Sequence, residues 1–395
     1  MSSKIKVGLI QVSESFGGQY YFPYSLGILQ SYAQKYLTKP ENYDFLLPVY
    51  KRSPVEDSIK RLDCSDIVCF SSYLWNFRLN LGIAKILKQI NPGIVTLFGG
   101  PQIPEQKDCL REFLRNYPCV DIGCYAEGEV PFLKILENFR NKIWSDVPSI
   151  GYFLGKDFIY NEAAPRISKL DQIPSPYLEG IFDELIAANP GVRWSAMWET
   201  NRGCPFFCSF CAWGIKNQKK VCSFDLNRLF KEIDWFSEKR IEFLFCCDAN
   251  FGIFERDFDI TQKIVENKLA FGYPKAFSIQ NTKNATEKIY KLQKMLTTAD
   301  LQKGVNLALQ STNQETLRSI NRSNISNDVY ESLQSMLSEA GIPTFTDIII
   351  GLPKESYETF TKGISHLIER GQHNKIQFIN LAVLENTEMA DLEYQ

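Results

Sequence analysis

The sequence predicts an α/β protein in two parts: a doubly wound parallel sheet, then a partial barrel of six βα repeats. Three observations predict this. Short apolar runs alternate with amphipathic helical stretches from residue 4 to about 140, a looser proline-marked stretch follows, and a second alternation begins near Val192. Repeated βα units of this length imply parallel strands with helices on the sheet faces. A chain of 395 residues is long enough for two or three domains with large apolar cores.

In the first part, Ile5 to Val12 is an apolar run followed by a Gly17-Gly18 loop, and Pro23 opens a helical pattern to about Tyr36. Asp66 to Phe70 is β-rich. Leu79, Ile83, Ile86, Leu87 and Ile90 then form one apolar stripe of a helix. Asn91-Pro92-Gly93 stops that helix, and Ile94 to Phe98 returns as a buried-strand run ending in Gly99-Gly100-Pro101. Val120 to Cys124 is a further short strand, and Ala126 to Val130 leads into a helix through Phe139. A hairpin (Ile150–Phe153, Phe158–Tyr160) and the segment Leu170 to Pro176 read as a link between the halves. The expected divisions are 1–148, 149–190 and 191–395.

In the second part, strands are expected at Trp194–Thr200, Glu242–Cys247, Lys275–Gln280, Val305–Gln310, Thr344–Ile350 and Lys375–Val383. Helical patterns such as Leu226–Glu238, Asp328–Ala340 and Tyr357–Arg370 separate them. Six such repeats make a curved, partial barrel. Polar residues at the carboxyl ends of its strands become candidates for ligand contacts.

The composition is that of an ordinary globular chain, 44% apolar and 23% charged with a net charge of −2. Nothing in it points to a nucleic-acid or membrane surface. Eleven cysteines and no secretory signal at the start imply a reducing, cytoplasmic setting. The two histidines, His366 and His373, make a Ser-His-Asp hydrolase improbable.

Chemistry concentrates in Arg202-Gly203-Cys204-Pro205-Phe206-Phe207-Cys208-Ser209-Phe210-Cys211-Ala212-Trp213-Gly214. Three thiols within one short loop suit an iron–sulfur cluster or zinc. Structural zinc closes with four ligands, so a zinc knuckle would have to borrow Cys222. A cubane on three cysteines leaves one iron open. The spacing, with Phe210 before the last cysteine, resembles the signature of the radical S-adenosylmethionine (SAM) superfamily, and the βα repeats around it resemble that superfamily's core from about 190 to 395. The resemblance implies that Cys204, Cys208 and Cys211 hold a 4Fe-4S cluster whose open iron chelates SAM, and that an electron splits the sulfonium to give a 5′-deoxyadenosyl radical.

The same resemblance implies SAM contacts around the rim. Phe210 and Trp213 lie beside the cluster loop. Asp248 and Asn250 stand where related proteins carry a Gly-Gly-Glu-like segment for the SAM amino group, a departure that still supplies acceptors. Ser278, Gln280 and Gln310 end later strands, Arg322 is suited to the SAM carboxylate, and Gly351-Leu352 to the adenine. For each of these, a loop or capping role is the competing reading.

A doubly wound, Rossmann-like domain ahead of this core resembles the cobalamin-binding, methyltransferase-like members of the superfamily. Tyr21 to Leu29, Ser71 to Asn76, Gly99-Gly100-Pro101, Ala126 to Glu129, Pro174 to Gly180 and Trp198 to Cys204 carry the likeness. It implies cobalamin contacts at Ser72, Tyr73, Leu74, Trp75, Gly99, Gly100, Gln102, Glu127 and Gly128. The Asp-x-His-x-x-Gly motif is absent, and residues 1–150 contain no histidine, so the cobalamin is expected without a histidine below the cobalt. The Ser71–Asn76 loop is expected to cover that face. The competing reading is a scaffold with an empty pocket.

The implied function is a cobalamin-dependent methyltransferase acting on an unactivated carbon of a small-molecule or peptide substrate. It would draw electrons from an external flavodoxin or ferredoxin type of reductant, without nucleic acid or membrane partners. The alternatives are a radical SAM rearrangement, oxidation or epimerisation, and a non-catalytic zinc- or cluster-binding protein. The chain stops at Asp391-Leu392-Glu393-Tyr394-Gln395, just after the sixth expected strand, whereas similar proteins often continue.

Overall fold

The computed structural model describes residues 3–214, 219–282, 286–302, 304–372, 374–391 and 394. The chain divides into two compact units, Met1–Ser195 and Ala196–Gln395. His373 and residues 392, 393 and 395 lie outside the described set.

The first unit runs β1 (Ile5–Ser13), β2 (Gln19–Tyr21), α1 (Tyr24–Tyr36), β3 (Tyr43–Phe45), β4 (Val49–Lys51), α2 (Val55–Leu62), β5 (Ile67–Ser71) and α3 (Phe77–Ile90). It continues with β6 (Val95–Gly99), α4 (Lys107–Asn116), β7 (Ile122–Cys124), α5 (Glu129–Asn138), β8 (Ile150–Leu154), β9 (Asp157–Tyr160) and α6 (Asp183–Ala188). The strand order is β3-β1-β5-β6-β7-β8-β9, with β4 also on β1. Pairing is parallel from β3 to β7 and antiparallel through β8 and β9. The expected hairpin therefore extends this sheet at one edge.

Alternation along the strands explains the double winding. Val7 and Leu9 of β1, Ile67 and Cys69 of β5, and Leu97 of β6 pack under α1 and α5. Their neighbours Ile10, Val12, Val68, Phe70 and Phe98 face α2, α3 and α4. A period of two with both phases apolar is what a sheet covered on both faces requires.

The division falls within β10 (Arg193–Trp198): Arg193–Ser195 pair with β2 inside the first unit, and Ala196–Trp198 begin the second. Then come β11 (Asn201–Arg202), β12 (Cys222–Ser223), α7 (Leu226–Glu238), β13 (Phe243–Cys246), α8 (Asp257–Phe271), β14 (Ala276–Ser278) and α9 (Thr286–Thr298). The remainder is β15 (Val305–Asn306), α10 (Gln314–Ser319), α11 (Asn327–Glu339), β16 (Thr344–Ile350), α12 (Tyr357–Glu369) and β17 (Lys375–Asn380). β13 and β14 pair in parallel, as do β15, β16 and β17. The six expected strands are present in βα order, divided between the sheet β14-β13-β10-β2 and the sheet β15-β16-β17.

Helix starts are chemically marked: Asp225 accepts from Asn227 N and Arg228 N to open α7, and Ser356 with Thr359 forms a capping box on α12. β15 is shorter than the expected Val305–Gln310. The chain keeps bonding to β16 through Leu307 N and Gln310 N, and Gln310, at φ +68°, makes an isolated parallel bridge to Ile348. No described helix is long and apolar enough to cross a membrane.

Candidate active site

The cysteine loop leaves β10 through a buried anchor. Trp198 is fully buried, and its Nε1 donates to Glu232 Oε2 at 2.6 Å, with Arg228 pairing the same carboxylate at 3.1 Å. Cys247 N–H donates to Trp198 O at 2.7 Å, fixing the strand beside β13. The next turn is gathered by Asp248, which accepts from Thr200 N at 2.8 Å, Asn201 N at 3.2 Å, Asn201 Nδ2 at 2.7 Å and the Thr200 hydroxyl. Burial nevertheless pushes its carboxyl up to about 7, with Asp257 adding to the rise. β11 then pairs antiparallel with β12, setting Arg202 opposite Cys222. Gly203, at φ +117°, turns the chain in a region closed to residues with a side chain.

The loop's far side is also tied down. Ser209 N donates to Ile320 O and Met389 N to Ser209 O, both at 3.1 Å. Phe210 packs on Leu317, Ile320, Ile349, Leu352 and Met389. Cys204 and Cys208 are buried, and Cys211 is half-buried. Asn250 Nδ2 donates to Cys204 Sγ at 3.2 Å, and Arg322 Nη1 lies 3.8 Å from Cys208 Sγ. Cys222 directs its thiol at Lys220 O at 3.9 Å.

Beside this loop is a cavity of about 280 Å³. Of the expected SAM residues, Phe210, Trp213, Asn250, Gln280, Gln310 and Arg322 line it with Cys204 and Cys211. Asp248, Ser278, Gly351 and Leu352 do not line it. Asp248 is spent on Thr200 and Asn201, Leu352 lies under Phe210, and Gly351 turns the chain at φ +92°. The cavity also takes Asn281, Asn306, Asn324 and Asp347, which sequence reasoning passed over. Their signal was present: Asn306 and Asp347 are polar residues inside apolar strand runs.

The donor set fits a zwitterionic ligand. Asn250 Oδ1, Asn306 Oδ1 and Asp347 Oδ1 are buried acceptors without a hydrogen-bond partner. Such atoms are costly unless a donor reaches them. The cationic counterpart is Arg322, 5% exposed, its Nε on Asn324 Oδ1 at 2.8 Å and its Nη2 on Ala308 O. Among the described residues no three His, Cys, Asp or Glu side chains converge on one metal ion. A cubane asks for something else, thiolates on separate irons, and three thiols in one loop would hold three of its irons and leave the fourth open.

In the first unit, the expected cobalamin residues gather at the carboxyl ends of β5, β6 and β7. Ser72 N donates to Gly99 O at 2.7 Å, and Gln102 N donates to Ser72 O at 3.2 Å. Gly100 has φ +99°, and a Cβ there would meet Ser72 O at 2.7 Å, so the glycine is required by loop-on-loop packing. Glu127 is engaged by Arg166 Nε at 3.2 Å and Ile167 N at 3.1 Å, and Gly128 opens α5. Tyr73 and Trp75 stack at 4.6 Å, while Leu74 and Trp75 are exposed by 61% and 59%. Exposed apolar side chains on a strand-end loop fit a flat ring ligand.

A parallel βα core, a three-thiol loop at its first strand and a cavity lined by Asn250, Arg322 and Asp347 beside that loop fit a radical SAM fold and site. Residues 198–366 match the family model of the Radical SAM superfamily, so the chain carries a radical SAM domain. It is 35% identical over 370 residues to the cobalamin-dependent radical SAM methyltransferase TokK of Streptomyces tokunonensis, covering 93% of this chain and 54% of that protein. The same identity and coverage hold for the 2-(S-pantetheinyl)-carbapenam-3-carboxylate methyltransferase of Streptantibioticus cattleyicolor. The chain thus spans about half the length of the curated relatives it matches. Its fold is shared with the radical SAM methyltransferase TsrM of Kitasatospora setae, solved with cobalamin and a [4Fe-4S] cluster (TM-score 0.71, 14% identity, 98% of this chain and 74% of that one). It is shared also with the cobalamin-dependent SAM radical enzyme OxsB (TM-score 0.66, 17% identity, 99% and 54%).

Proposed function

We propose that this chain is the cofactor-binding part of a cobalamin-dependent radical SAM methyltransferase that methylates an unactivated carbon of a small molecule or peptide. The observation that carries the reading is the cavity joining Cys204 and Cys211 to Asn250 and Arg322. The whole-chain likeness to two such methyltransferases supports it. When bound, the 4Fe-4S cluster, SAM and cobalamin supply one-electron cleavage of a sulfonium and methyl transfer.

The residues' work is binding and orientation. Cys204, Cys208 and Cys211 hold the cluster and leave its fourth corner open. Asn250 receives the SAM ammonium on Oδ1, and Arg322 offers its remaining N–H groups to the carboxylate. Gln280, Gln310, Phe210 and Trp213 bound the rest of the nucleoside. In the first unit, the Ser72–Trp75 loop and the turns at Gly99, Gly100, Gln102, Glu127 and Gly128 receive the cobalamin ring. Electrons come from a flavodoxin or ferredoxin type of reductant in the cytoplasm.

The test is anaerobic incubation of iron-reconstituted protein with SAM, cobalamin and a low-potential reductant. The carbapenam named for the relative is the first substrate tried, and mass spectrometry reads the products. The expected result is 5′-deoxyadenosine together with a product heavier by one methylene. Deoxyadenosine with no methylated product across a panel of small molecules and peptides would point to a rearranging or oxidising enzyme. Zinc in place of iron would overturn the radical reading.

A further inference from the structure

Asn250 faces two ways. Its Nδ2 donates to Cys204 Sγ at 3.2 Å, while its Oδ1 is buried at the cavity with no hydrogen-bond partner. A half-turn of an amide exchanges its oxygen and nitrogen, so the neighbours must decide between the two orientations. A thiolate can only accept, which selects the nitrogen for sulfur and leaves the oxygen for a ligand. The residue is 3% exposed, so bulk solvent has little access to either contact. A second donor stands at Cys208, where Arg322 brings Nη1 to 3.8 Å.

We infer that Asn250 is a positioning residue that couples occupancy of the cavity to the reduction potential of the cluster held by Cys204, Cys208 and Cys211. The inference rests on the cluster-binding reading above and adds a role to it. Hydrogen bonds to cluster sulfurs and nearby positive charge raise an iron–sulfur potential, because the reduced form carries the greater negative charge. Bonds in series polarise one another. A donor arriving on Asn250 Oδ1 withdraws electron density from the amide and strengthens its N–H donation to Cys204. The ligand that binds through an ammonium thereby makes its own cluster easier to reduce. Arg322 contributes a fixed increment that does not depend on the amide.

The experiment is a redox titration of reconstituted full-chain protein followed by electron paramagnetic resonance, with and without SAM, after iron has been counted. In the wild type, SAM should raise the potential. Asn250→Asp keeps the shape and the acceptor, but sets a carboxylate oxygen against the sulfur. It should lower the potential by about 59 mV, a tenfold change in the one-electron equilibrium, with SAM held at saturation. Asn250→Ala should lower the potential and abolish the SAM-induced shift. Arg322→Gln should weaken SAM binding and lower the baseline, and with SAM held at saturation it should still show a SAM-induced rise.

Potentials and SAM response equal to wild type in iron-replete Asn250 variants would overturn the inference, as would a wild type that does not respond to SAM. Should the Asn250 variants lose iron, isotopically labelled asparagine in the wild type decides the matter. Its side-chain nitrogen must couple magnetically to the reduced cluster, more strongly with SAM, and no coupling sinks the idea. Absence of iron from the wild type is a different result, and it removes the cluster reading itself.

Discussion

Asp248 shows how far a single carboxylate can be from the role its position suggests. It ends β13 on the rim, yet four donors from Thr200 and Asn201 take both its oxygens, and it is 1% exposed. Its work is to fix the turn from which the cysteine loop departs. Burial holds its folded pKa near 7, above the ordinary 3.8, so the folded state keeps a proton that the unfolded chain has released. By linkage, this group's contribution to stability is full below about pH 4, falls between about 4 and 7, and is lost above. Asp248→Asn should remove that slope in denaturant titrations of the apo-protein. It should also cost about 1–3 kcal/mol, because an amide N–H would face the donors of Thr200 and Asn201. Asn250, two residues on, takes the cavity position instead. The sequence made both residues visible as rim candidates. It could not say which side chain turns outward, since that depends on contacts with Thr200, Asn201 and Cys204 from a different strand and loop.

Loops between elements carry the next level of constraint. The turn after β6 presses against the turn after β5, with Ser72 N on Gly99 O and Gln102 N on Ser72 O. Gly100→Ala would combine a left-handed backbone with a Cβ at 2.7 Å from Ser72 O. The expected cost is about 1–3 kcal/mol. It should appear as a lower melting temperature together with weaker cobalamin retention on gel filtration, because the same two turns form the rim. Elements with long apolar patterns were legible beforehand: β1, α1, β5, α3 and β6 fall within a residue or two of expectation. The three-residue strands β2, β3 and β4 were not, because no periodicity can be read over so short a run. α2 and α4 escaped for another reason. Their apolar residues (Ile59 and Leu62, then Leu110, Phe113 and Leu114) are few and set among charges, so their stripes are narrow. The antiparallel placing of β8 against β7 is a matter of sheet order, which local pattern does not encode.

At the scale of the whole molecule, the two units carry different candidate sites: a three-thiol loop beside a polar cavity in Ala196–Gln395, glycine-bearing turns and an exposed aromatic loop in Met1–Ser195. Histidine is missing from the second of these sites. The chain's two histidines are His366 and His373, and none occurs in residues 1–150, so the first unit has no imidazole with which to ligate cobalt. The loop after β5 offers Tyr73, Leu74 and Trp75 in its place, and none of these carries a nitrogen with a free lone pair like that of imidazole. A cobalamin seated there would present its lower face to carbon-rich side chains. The measurement is electron paramagnetic resonance of the cobalt(II) form bound to protein whose histidines are isotopically labelled. The nitrogen splitting should be the same with labelled and unlabelled protein, since no histidine reaches the metal. Leu74→His puts an imidazole on the exposed loop, and a label-dependent splitting should then appear. A label-dependent splitting in the wild type would show that His366 or His373 ligates the cobalt, and the loop's assignment to that face would have to be abandoned.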